Sequence, residues 1–308
     1  MRIVSLLPAA TEIAAALRLM DQIVGVSHEC DFPSEANDCP RITRCPVHNV
    51  GLPSRDVDTW VRHALHEHGS IYTIDEPLLR KLQPDVILTQ KLCDVCAVGY
   101  ETVAKLAQTL PGPPRVVNLE PTSLADIFDD IRRIGQSCDV PERAKNLIAN
   151  LLERVENVRE RATKILDRPR CFLMEWVDPP FCCGHWGPEL VEIAGGYDPL
   201  GRKHRPSAQI KWKQVLEARP EVIVLALCGY DIDRARRDYE LLRGFPGFRS
   251  TSAAKTGQVF VVSASAYFAC PGPRIVDSLE ILAGILHPME FPEFAPRELD
   301  DARVLRVG

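Results

Sequence analysis

Short apolar runs alternate with segments of helical periodicity along most of the chain, and this alternation limits the fold more than any other feature. The predicted strands share an apolar run and cover residues 3–7, 23–27, 71–74, 86–90, 116–119, 171–176, 222–227 and 259–262. Apolar side chains spaced three and four apart predict helices near residues 10–19, 57–68, 76–82, 101–110, 124–137, 188–194, 211–218, 234–242 and 273–286. Strands that alternate with helices build parallel sheets covered by helices, so we expect an α/β fold.

A weak internal repeat suggests that the chain has two similar halves. LRKLQPDVILTQ at 79–90 resembles VLEARPEVIVLAL at 215–227, since both pass from a helix end through a proline and an acid into an apolar run. Proline ends a helix, and a continuous apolar run suits a strand covered on both faces. One such match also arises by chance. Together with a length of 308 residues, which fits about two domains, it favours two Rossmann-like α/β lobes.

A long helix is predicted between the two halves. PERAKNLIANLLERVENVRERATKIL at 141–166 has no glycine and no internal proline, and its apolar side chains form one helical stripe. It is either a surface helix of one domain or a single helix that joins two lobes, and its mid-chain position favours the second. We therefore expect an N-terminal lobe at 1–140, a linking helix at 141–166, a C-terminal lobe at 167–287 and an extended, proline-punctuated tail at 288–308.

Composition excludes several classes of protein. Apolar residues make up 45% and charged residues 26% of the chain, which is ordinary for a globular protein and unlike a disordered one. No apolar run is long enough to cross a membrane, so we expect no membrane insertion. The net charge of −5, without a basic block, argues against nucleic acid as a partner.

The N-terminus has some features of a secretory leader. The start MRIVSLLPAATEIAAALRLM has one basic residue and a short apolar run, but Pro8, Thr11 and Glu12 interrupt it. A buried strand followed by a helix fits better. We therefore expect a cytoplasmic protein, in a compartment that keeps thiols reduced.

Candidate ligand-binding residues follow the predicted strands, because α/β sheets bind ligands outside the carboxyl ends of their strands. Thr11 after the first strand suits an acidic or amide group. Glu175 is either a cap, a surface acid or a hydrogen-bond acceptor. The aromatic residues after later strands either pack in the core or line a cleft for a large flat ligand; they are Trp176, Trp186, Tyr267 and Phe268.

The 11 cysteines cannot all pair within one chain, and a chain of this length needs no disulfide framework. Cys93 and Cys96 form a C-x-x-C pair whose sulfurs suit zinc, an iron–sulfur cluster or a redox dithiol. Such a site needs further ligands, and Cys30, His28 or His185 could supply them through tertiary contact. The alternative is that these cysteines are small buried hydrophobic residues.

An ordered set of motifs resembles a known family. IVSLLPAATEIAAAL, IVGVSHECDFP and LQPDVILTQ resemble the first lobe of the periplasmic cobalamin- and iron-chelate-binding proteins of ABC importers. FLMEWVDPPFCCGHWGPELVEIAGG and AYFACPGPRIVDSLEILAGIL resemble the second lobe. The resemblance covers about residues 2–287, and the chain is similar to the leaderless, cytoplasmic branch of that family.

The resemblance implies two α/β lobes joined by a long helix, with a ligand cleft between them. The ligand-binding residues that it implies are Pro8, Thr11, His28, Glu29, Gln90, Glu175, Trp176, Phe181, His185, Trp186, Tyr267 and Phe268. The thiols of HEC and LCDVC depart from the transport proteins. Because an importer's receptor lies outside the membrane, the expected lack of a leader argues against an importer partner.

Two functions follow from these patterns. The first is binding of a cobalamin-like corrinoid or another metal chelate, as a small-molecule ligand between the lobes. The alternative is a cytoplasmic zinc or iron–sulfur protein, with or without enzymatic activity, that uses Cys30, Cys93 and Cys96 as metal ligands. The sequence contains no phosphate loop, no HExxH and no GxSxG, so binding is favoured over catalysis and no catalytic residue is assigned.

Overall fold

A computed structural model gives the structure of the protein and describes residues 1–46, 51–91, 99–296 and 303–307. The chain divides into two compact units. Unit 1 comprises residues 1–52, 56–121 and 125–150, and unit 2 comprises residues 53–55, 122–124 and 151–308. Unit 1 combines helices with a parallel sheet and unit 2 combines them with a mixed sheet whose central strands are parallel, which confirms the α/β prediction.

The sheet of unit 1 has the order β2-β1-β5-β6, and every pair in it is parallel. The elements up to residue 162 are β1 (Ile3–Ser5), α1 (Pro8–Ala16), β2 (Ile23–Val26), β3 (Thr43–Arg44), α2 (Ser54–His68), β4 (Thr73–Ile74), α3 (Glu76–Leu82), β5 (Val86–Gln90), α4 (Tyr100–Gln108), β6 (Arg115–Leu119), α5 (Leu124–Ser137) and α6 (Pro141–Ala162). All residues of β5 are buried, as expected for a central strand of a parallel sheet covered on both faces.

The sheet of unit 2 has the order β11-β8-β7-β12-β13-β14, with β7, β12 and β13 parallel and the outer strands antiparallel. The later elements are β7 (Cys171–Trp176), β8 (Phe181–Cys182), β9 (Gly184–His185), α7 (Gly187–Ile193), β10 (Arg202–Lys203), β11 (Ala208–Gln209), α8 (Trp212–Ala218), β12 (Val222–Leu225), α9 (Ile232–Arg243), α10 (Ser252–Lys255), β13 (Val259–Val262), α11 (Ile275–Leu286) and β14 (Val304–Arg306). Strands β12 and β13 are buried throughout.

The internal repeat has a structural cause in unit 1. The backbone N–H of Arg2 donates to Oδ2 of Asp85 over 2.7 Å, and the N–H of Asp85 donates back to the carbonyl of Arg2 over 2.8 Å. The Arg2 side chain also donates to the carbonyl of Leu82 at the end of α3. The acid after the proline therefore ties the entry of β5 to the entry of β1.

Unit 2 repeats the two backbone contacts of this arrangement, and its arginine side chain bonds a carbonyl one position later in the connection. The N–H of Arg170 donates to Oε2 of Glu221 over 2.9 Å, and the N–H of Glu221 donates to the carbonyl of Arg170 over 2.8 Å. The Arg170 side chain donates to the carbonyl of Arg219. Gln83 and Arg219, which end the preceding helices, both have left-handed backbones, with φ of 44° and 50°. The sequence similarity thus reflects one shared helix-to-strand connection.

The long helix predicted over 141–166 is observed as α6, Pro141–Ala162. Its first residues belong to unit 1 and its residues from Leu151 onward belong to unit 2. The side chain of Arg154 fixes the second part, because it forms ion pairs with Asp277 and Glu280 of α11 at 2.5 and 2.6 Å. The helix is therefore shared by both units.

The tail contributes more to unit 2 than an extended appendage would. Phe291 is fully buried, and a side chain at Gly284 of α11 would collide with the backbone of Phe294. Val304–Arg306 forms β14, which pairs with β13. No helix within the described residues is long and apolar enough to span a membrane.

We expect the two acidic side chains at the strand entries to stabilise the fold by similar amounts. Asp85→Ala and Glu221→Ala each remove an acceptor from a backbone N–H, so each should lower the free energy of unfolding by about 1 kcal/mol. Denaturant titration followed by circular dichroism measures this. Glu217→Ala is the control, because Glu217 is an exposed acid of α8 that pairs with Lys213 at 3.5 Å and should change stability by less than about 0.5 kcal/mol. Equal effects from all three variants would contradict the assignment.

Candidate functional site

The predicted ligand residues lie at the carboxyl edge of the sheet in each unit. In unit 1 they end or follow β1, β2 and β5, and they are Pro8, Thr11, His28, Glu29 and Gln90, with the predicted metal ligand Cys30 beside Glu29 in the chain. In unit 2 they lie at the end of β7, in β8 and β9 and the residue after them, or after β13, and they are Glu175, Trp176, Phe181, His185, Trp186, Tyr267 and Phe268. Strand direction alone brings these side chains to one edge of each sheet.

A buried hydroxyl cluster joins β1, α1 and the loop after β2. Pro8 occupies the first turn of α1, where the missing N–H of proline costs no hydrogen bond. This places Thr11 one turn later, with its hydroxyl 2.8 Å from Oγ of Ser5 and 3.1 Å from Sγ of Cys30. All three polar side chains are buried. Thr11 therefore supports the edge from inside unit 1, and it brings Cys30 into the cluster.

Cys30 is placed as a neutral thiol. Burial raises the pKa of Cys30 to about 12, although the Thr11 hydroxyl and the N–H donors around it act in the opposite direction. Arg41 donates to the backbone carbonyl of Cys30 over 2.5 Å and to that of Ser27 over 3.0 Å, which fixes this loop. A thiol in this state is a weak nucleophile, because the thiolate is the reactive form.

A second polar group of unit 1 is built on His28 and Glu29. Nδ1 of His28 lies 2.7 Å from the hydroxyl of Thr43, which also accepts the backbone N–H of His28 over 3.1 Å. The Tyr72 hydroxyl donates to Oε1 of Glu29 over 3.3 Å. Nε2 of His28 lies 3.9 Å from the same carboxylate oxygen. The imidazole, phenol and carboxyl groups therefore form one connected set.

Glu29 titrates in the neutral range. Desolvation raises the pKa of Glu29 to about 7, against the lowering effect of the Tyr72 hydroxyl, and the negative charge of Asp31 adds to the rise. Gln90 ends β5 and is buried. The edge of unit 1 thus presents hydroxyl, amide, imidazole and carboxyl groups.

Glu175 is the polar centre of the unit 2 edge. The Ser207 hydroxyl donates to Oε2 of Glu175, and the backbone N–H of Gly184 donates to the same carboxylate. Burial raises the pKa of Glu175 in spite of these two donors. Glu175 thus accepts hydrogen bonds from within unit 2, and its predicted contact with a ligand stays a prediction.

Trp176 is held in place by its neighbours. Its indole N–H lies 3.2 Å from the carbonyls of both Ser54 and Asp178, and its ring centroid lies 5.0 Å from that of Tyr230. Arg55 forms an ion pair with Asp178 at 2.9 Å. Trp176 is partly buried, so part of its surface remains available at this edge.

Trp186 and Phe268 are more enclosed. The Trp186 indole donates to the carbonyl of Phe268 over 3.0 Å, and both side chains are buried. Phe268 ends a π-helix, Ala264–Phe268, in which Tyr267 is partly buried with Arg274 over its ring at 5.4 Å. Most of the surface of the Trp186 and Phe268 side chains is buried, as expected if these two residues pack in the core.

His185 stands out among the polar residues of unit 2. It has a left-handed backbone with φ of 51°, and its ring stacks on Trp186 at 5.6 Å. Within the described residues, Nδ1 of His185 is buried without a hydrogen-bond partner. Burial lowers the pKa of His185, so the imidazole is neutral at physiological pH. Phe181, at the start of β8, is partly buried beside it in the chain order.

The metal hypothesis concerns residues that the structure only partly covers. Cys93 and Cys96 lie outside the described residues. Within the described ranges, no group of three or more histidine, cysteine, aspartate or glutamate side chains is arranged to hold a metal ion. Zinc or an iron–sulfur cluster at Cys30, Cys93 and Cys96 stays a prediction.

The sequence analysis did not identify several residues at the two edges. Ser207 lies in the loop before β11 and Thr43 lies in the two-residue strand β3, and neither segment carries a periodic signal. Tyr72 lies just before β4. Tyr230 could have been identified as a candidate from the sequence, because it follows β12 by a few residues.

Comparison with known proteins gives a consistent family assignment. A family model described as "Periplasmic binding protein" matches residues 3–266. The vitamin B12-binding protein of Vibrio cholerae is 24% identical over 282 residues, which covers 91% of this chain and 86% of that protein.

Solved structures show the same fold. The periplasmic vitamin B12-binding protein of Vibrio cholerae has a TM-score of 0.67 at 24% identity and covers 92% of this chain and 96% of that one. A periplasmic heme-binding protein from Pseudomonas aeruginosa has a TM-score of 0.72 at 19% identity and covers 100% of this chain and 99% of that one.

Glu29 predicts a specific pH dependence of stability. Because the pKa of Glu29 is raised from 4.5 to about 7 in the folded protein, its stabilising contribution is complete below the unfolded pKa and is lost as the pH rises through about 7. Glu29→Gln removes this titration. The variant should match the wild type near about pH 4 and exceed its free energy of unfolding by about 2 kcal/mol near about pH 8. Denaturant titrations across this range test it, with exposed Glu35→Gln as the control. A constant difference at every pH would contradict the assignment.

Cys30 should resist alkylation in the folded protein. At about pH 8, iodoacetamide should modify Cys30 at least ~100-fold more slowly than the partly exposed Cys228, because the thiolate of Cys30 is scarce and enclosed. Peptide mass spectrometry after timed quenching measures both rates, and unfolding in denaturant should equalise them. Rapid modification of Cys30 in the native protein would show that its thiol is activated.

Proposed function

We propose, from the premise that this chain belongs to the family of periplasmic binding proteins, that it binds a cobalamin-like corrinoid or a related metal chelate. The observation that carries the proposal is the match to vitamin B12-binding proteins across 91% of the chain. The heme-binding protein of the same fold supports the broader class of flat, metal-containing macrocycles.

The chemistry of the unit 2 edge suits such a ligand. Trp176, Phe181 and Tyr267 are partly buried aromatic side chains, and aromatic rings bury large areas against a planar macrocycle at little cost in side-chain entropy. The hydrogen bonds of the Trp176 indole hold this ring in one orientation before the ligand arrives. Preorganisation of this kind raises affinity.

The polar edge of unit 1 suits the amide groups of a corrinoid. Gln90, Glu29 and His28 provide donors and acceptors there, and Glu29 can act as either because its pKa is raised to about 7. Amide side chains need both kinds of partner. We therefore propose that these hydrogen-bonding residues of unit 1 contribute contacts to amide groups of the ligand.

A neutral histidine could approach the metal of the ligand. The lowered pKa of His185 leaves its imidazole unprotonated, which is the form that binds a metal. His28 is the second candidate, and its Nδ1 contact with Thr43 would orient the ring as the partners of metal-binding histidines commonly do.

Titration with cobalamins tests the proposal. Protein purified without oxygen is titrated with cyanocobalamin and hydroxocobalamin in a calorimeter, while absorption spectra and metal content are recorded. We expect saturable binding of one cobalamin per chain. A colourless protein that fails to bind either cobalamin or heme would contradict the proposal, and stoichiometric zinc or iron that is lost from Cys93→Ser, Cys96→Ser would favour the metal-protein alternative.

The aromatic contribution is tested with matched tryptophans. Trp176→Phe should weaken cobalamin binding at least about tenfold, because the smaller ring loses the two carbonyl contacts of the indole and part of the stacking area. Trp212→Phe is the control, since Trp212 packs on Phe245 and Phe248 and is not one of the proposed ligand contacts. Equal affinities for the two variants would argue against Trp176 as a ligand contact.

The histidine contribution has its own readout. His185→Asn keeps a residue type that tolerates a left-handed backbone, and exposed His66→Asn on α2 is the control. If His185 replaces the axial water of hydroxocobalamin, the wild type and His66→Asn should show a shifted visible spectrum that His185→Asn lacks. The same shift in all three proteins would exclude coordination by His185.

We also propose that the protein works in a reducing compartment. The support is the odd count of 11 cysteines, nine of which lie in the described residues and are free thiols. Cell fractionation tests this, and recovery of the protein outside the cytoplasm would contradict it.

A further inference from the structure

Unit 2 has a cavity at the amino edge of its sheet, opposite the carboxyl edge where the candidate site lies. It has a volume of about 670 Å³ and is lined by α9, the 3₁₀ turn Phe248–Ser250, α10 and the C-terminal strand. Arg306 donates to the carbonyl of Gly257 over 2.6 Å, and the N–H of Val307 donates to Val259 at the start of β13. The candidate site follows the end of β13, so the two locations are separated by the length of that strand.

Four arginines converge on this cavity. Arg236 and Arg243 come from one face of α9, since they are seven residues apart, and Arg249 and Arg306 come from the 3₁₀ turn and β14. Glu240 is the only acidic side chain among the lining residues. The excess of positive charge contrasts with the net charge of −5 of the whole chain. Convergent guanidinium groups repel one another unless an anion lies between them.

Two of the arginines are anchored, and two have no anionic partner. Arg243 pairs with Glu240 at 2.8 Å, and Arg306 is held by the carbonyls of Gly257 and Thr256. Within the described part of the chain, Arg236 and Arg249 form no ion pair. Both are exposed, so their donors remain accessible to a ligand.

The floor of the cavity is aromatic. Tyr239 and Phe248 are buried there, with ring centroids 6.2 Å apart. Several guanidinium groups above these rings suit phosphoryl groups, because arginine binds phosphate oxygens through two parallel N–H donors. The volume of about 670 Å³ is larger than one phosphate needs and lies within the range of small-molecule sites.

We propose that this cavity binds an anion with at least two phosphoryl groups, held mainly by Arg236 and Arg249 with Arg243 and Arg306 at the sides. The ligand is either a free diphosphate-containing small molecule or the phosphorylated headgroup of a lipid, since both present the same chemistry. The site is independent of the corrinoid proposal because it shares none of its residues.

Binding of defined phosphates tests the site. Pyrophosphate and ATP are titrated into the full-length protein by calorimetry at low salt, and vesicles of phosphatidylcholine with phosphatidic acid are tested by co-sedimentation. We expect saturable binding of at least one of these probes, weakened by added NaCl as electrostatic screening requires. No binding of any of them would overturn the proposal.

Matched variants separate the cavity from general charge effects. Arg236→Ala, Arg249→Ala should weaken the binding at least about tenfold, because it removes both unpaired forks. Arg237→Ala, Lys255→Ala removes the same charge from exposed positions of α9 and α10 outside the cavity and should keep wild-type affinity. Loss of affinity in the control pair, or wild-type affinity in the cavity pair, would overturn the assignment. The soluble and vesicle probes then identify which source of phosphoryl groups the cavity accepts.

Discussion

In each unit, a carboxylate ties the entry of one central strand to the entry of its neighbour, and the alignment of the two strands depends on this contact. Asp85 performs this in unit 1 and Glu221 in unit 2. Because side chains of a strand alternate between two faces, a slip of one residue would move every side chain of β5 or β12 to the opposite covered face of the sheet. Fixing the entry of the strand therefore also fixes which residues emerge at its carboxyl end, where the candidate ligand residues lie.

Much of the fold was predictable because its main signals are local. Continuous apolar runs predicted the strands such as Val86–Gln90 and Cys171–Trp176, and helical periodicity predicted Leu124–Ser137. Of the two-residue strands, Thr73–Ile74 lies within the predicted strand 71–74. The others were missed, since pairs of residues carry no period. The strand Val304–Arg306 was missed because its only reason to be extended is a partner, β13, that is distant in the sequence.

The candidate site was predictable by position more than by contact. Strand direction placed Thr11, His28 and Glu175 at sheet edges, as a parallel sheet requires. Their actual partners are Cys30 and Ser207 in loops and Thr43 in the two-residue strand β3. Tertiary packing determines where these segments lie. The pKa of Glu29, raised to about 7, and the lowered pKa of His185 both follow from burial, which the sequence does not encode locally.

The central proposal is that ligand-binding residues lie at the carboxyl edge of the sheet in each unit. Hydrogen–deuterium exchange of the full chain, with and without saturating cobalamin, tests this most directly. The account predicts slower exchange on ligand binding in the loops that follow β1 and β2 of unit 1 and β7 and β13 of unit 2, with little change at the strand entries near Asp85 and Glu221. Protection confined to other surfaces, or no change in exchange at saturating cobalamin, would contradict it.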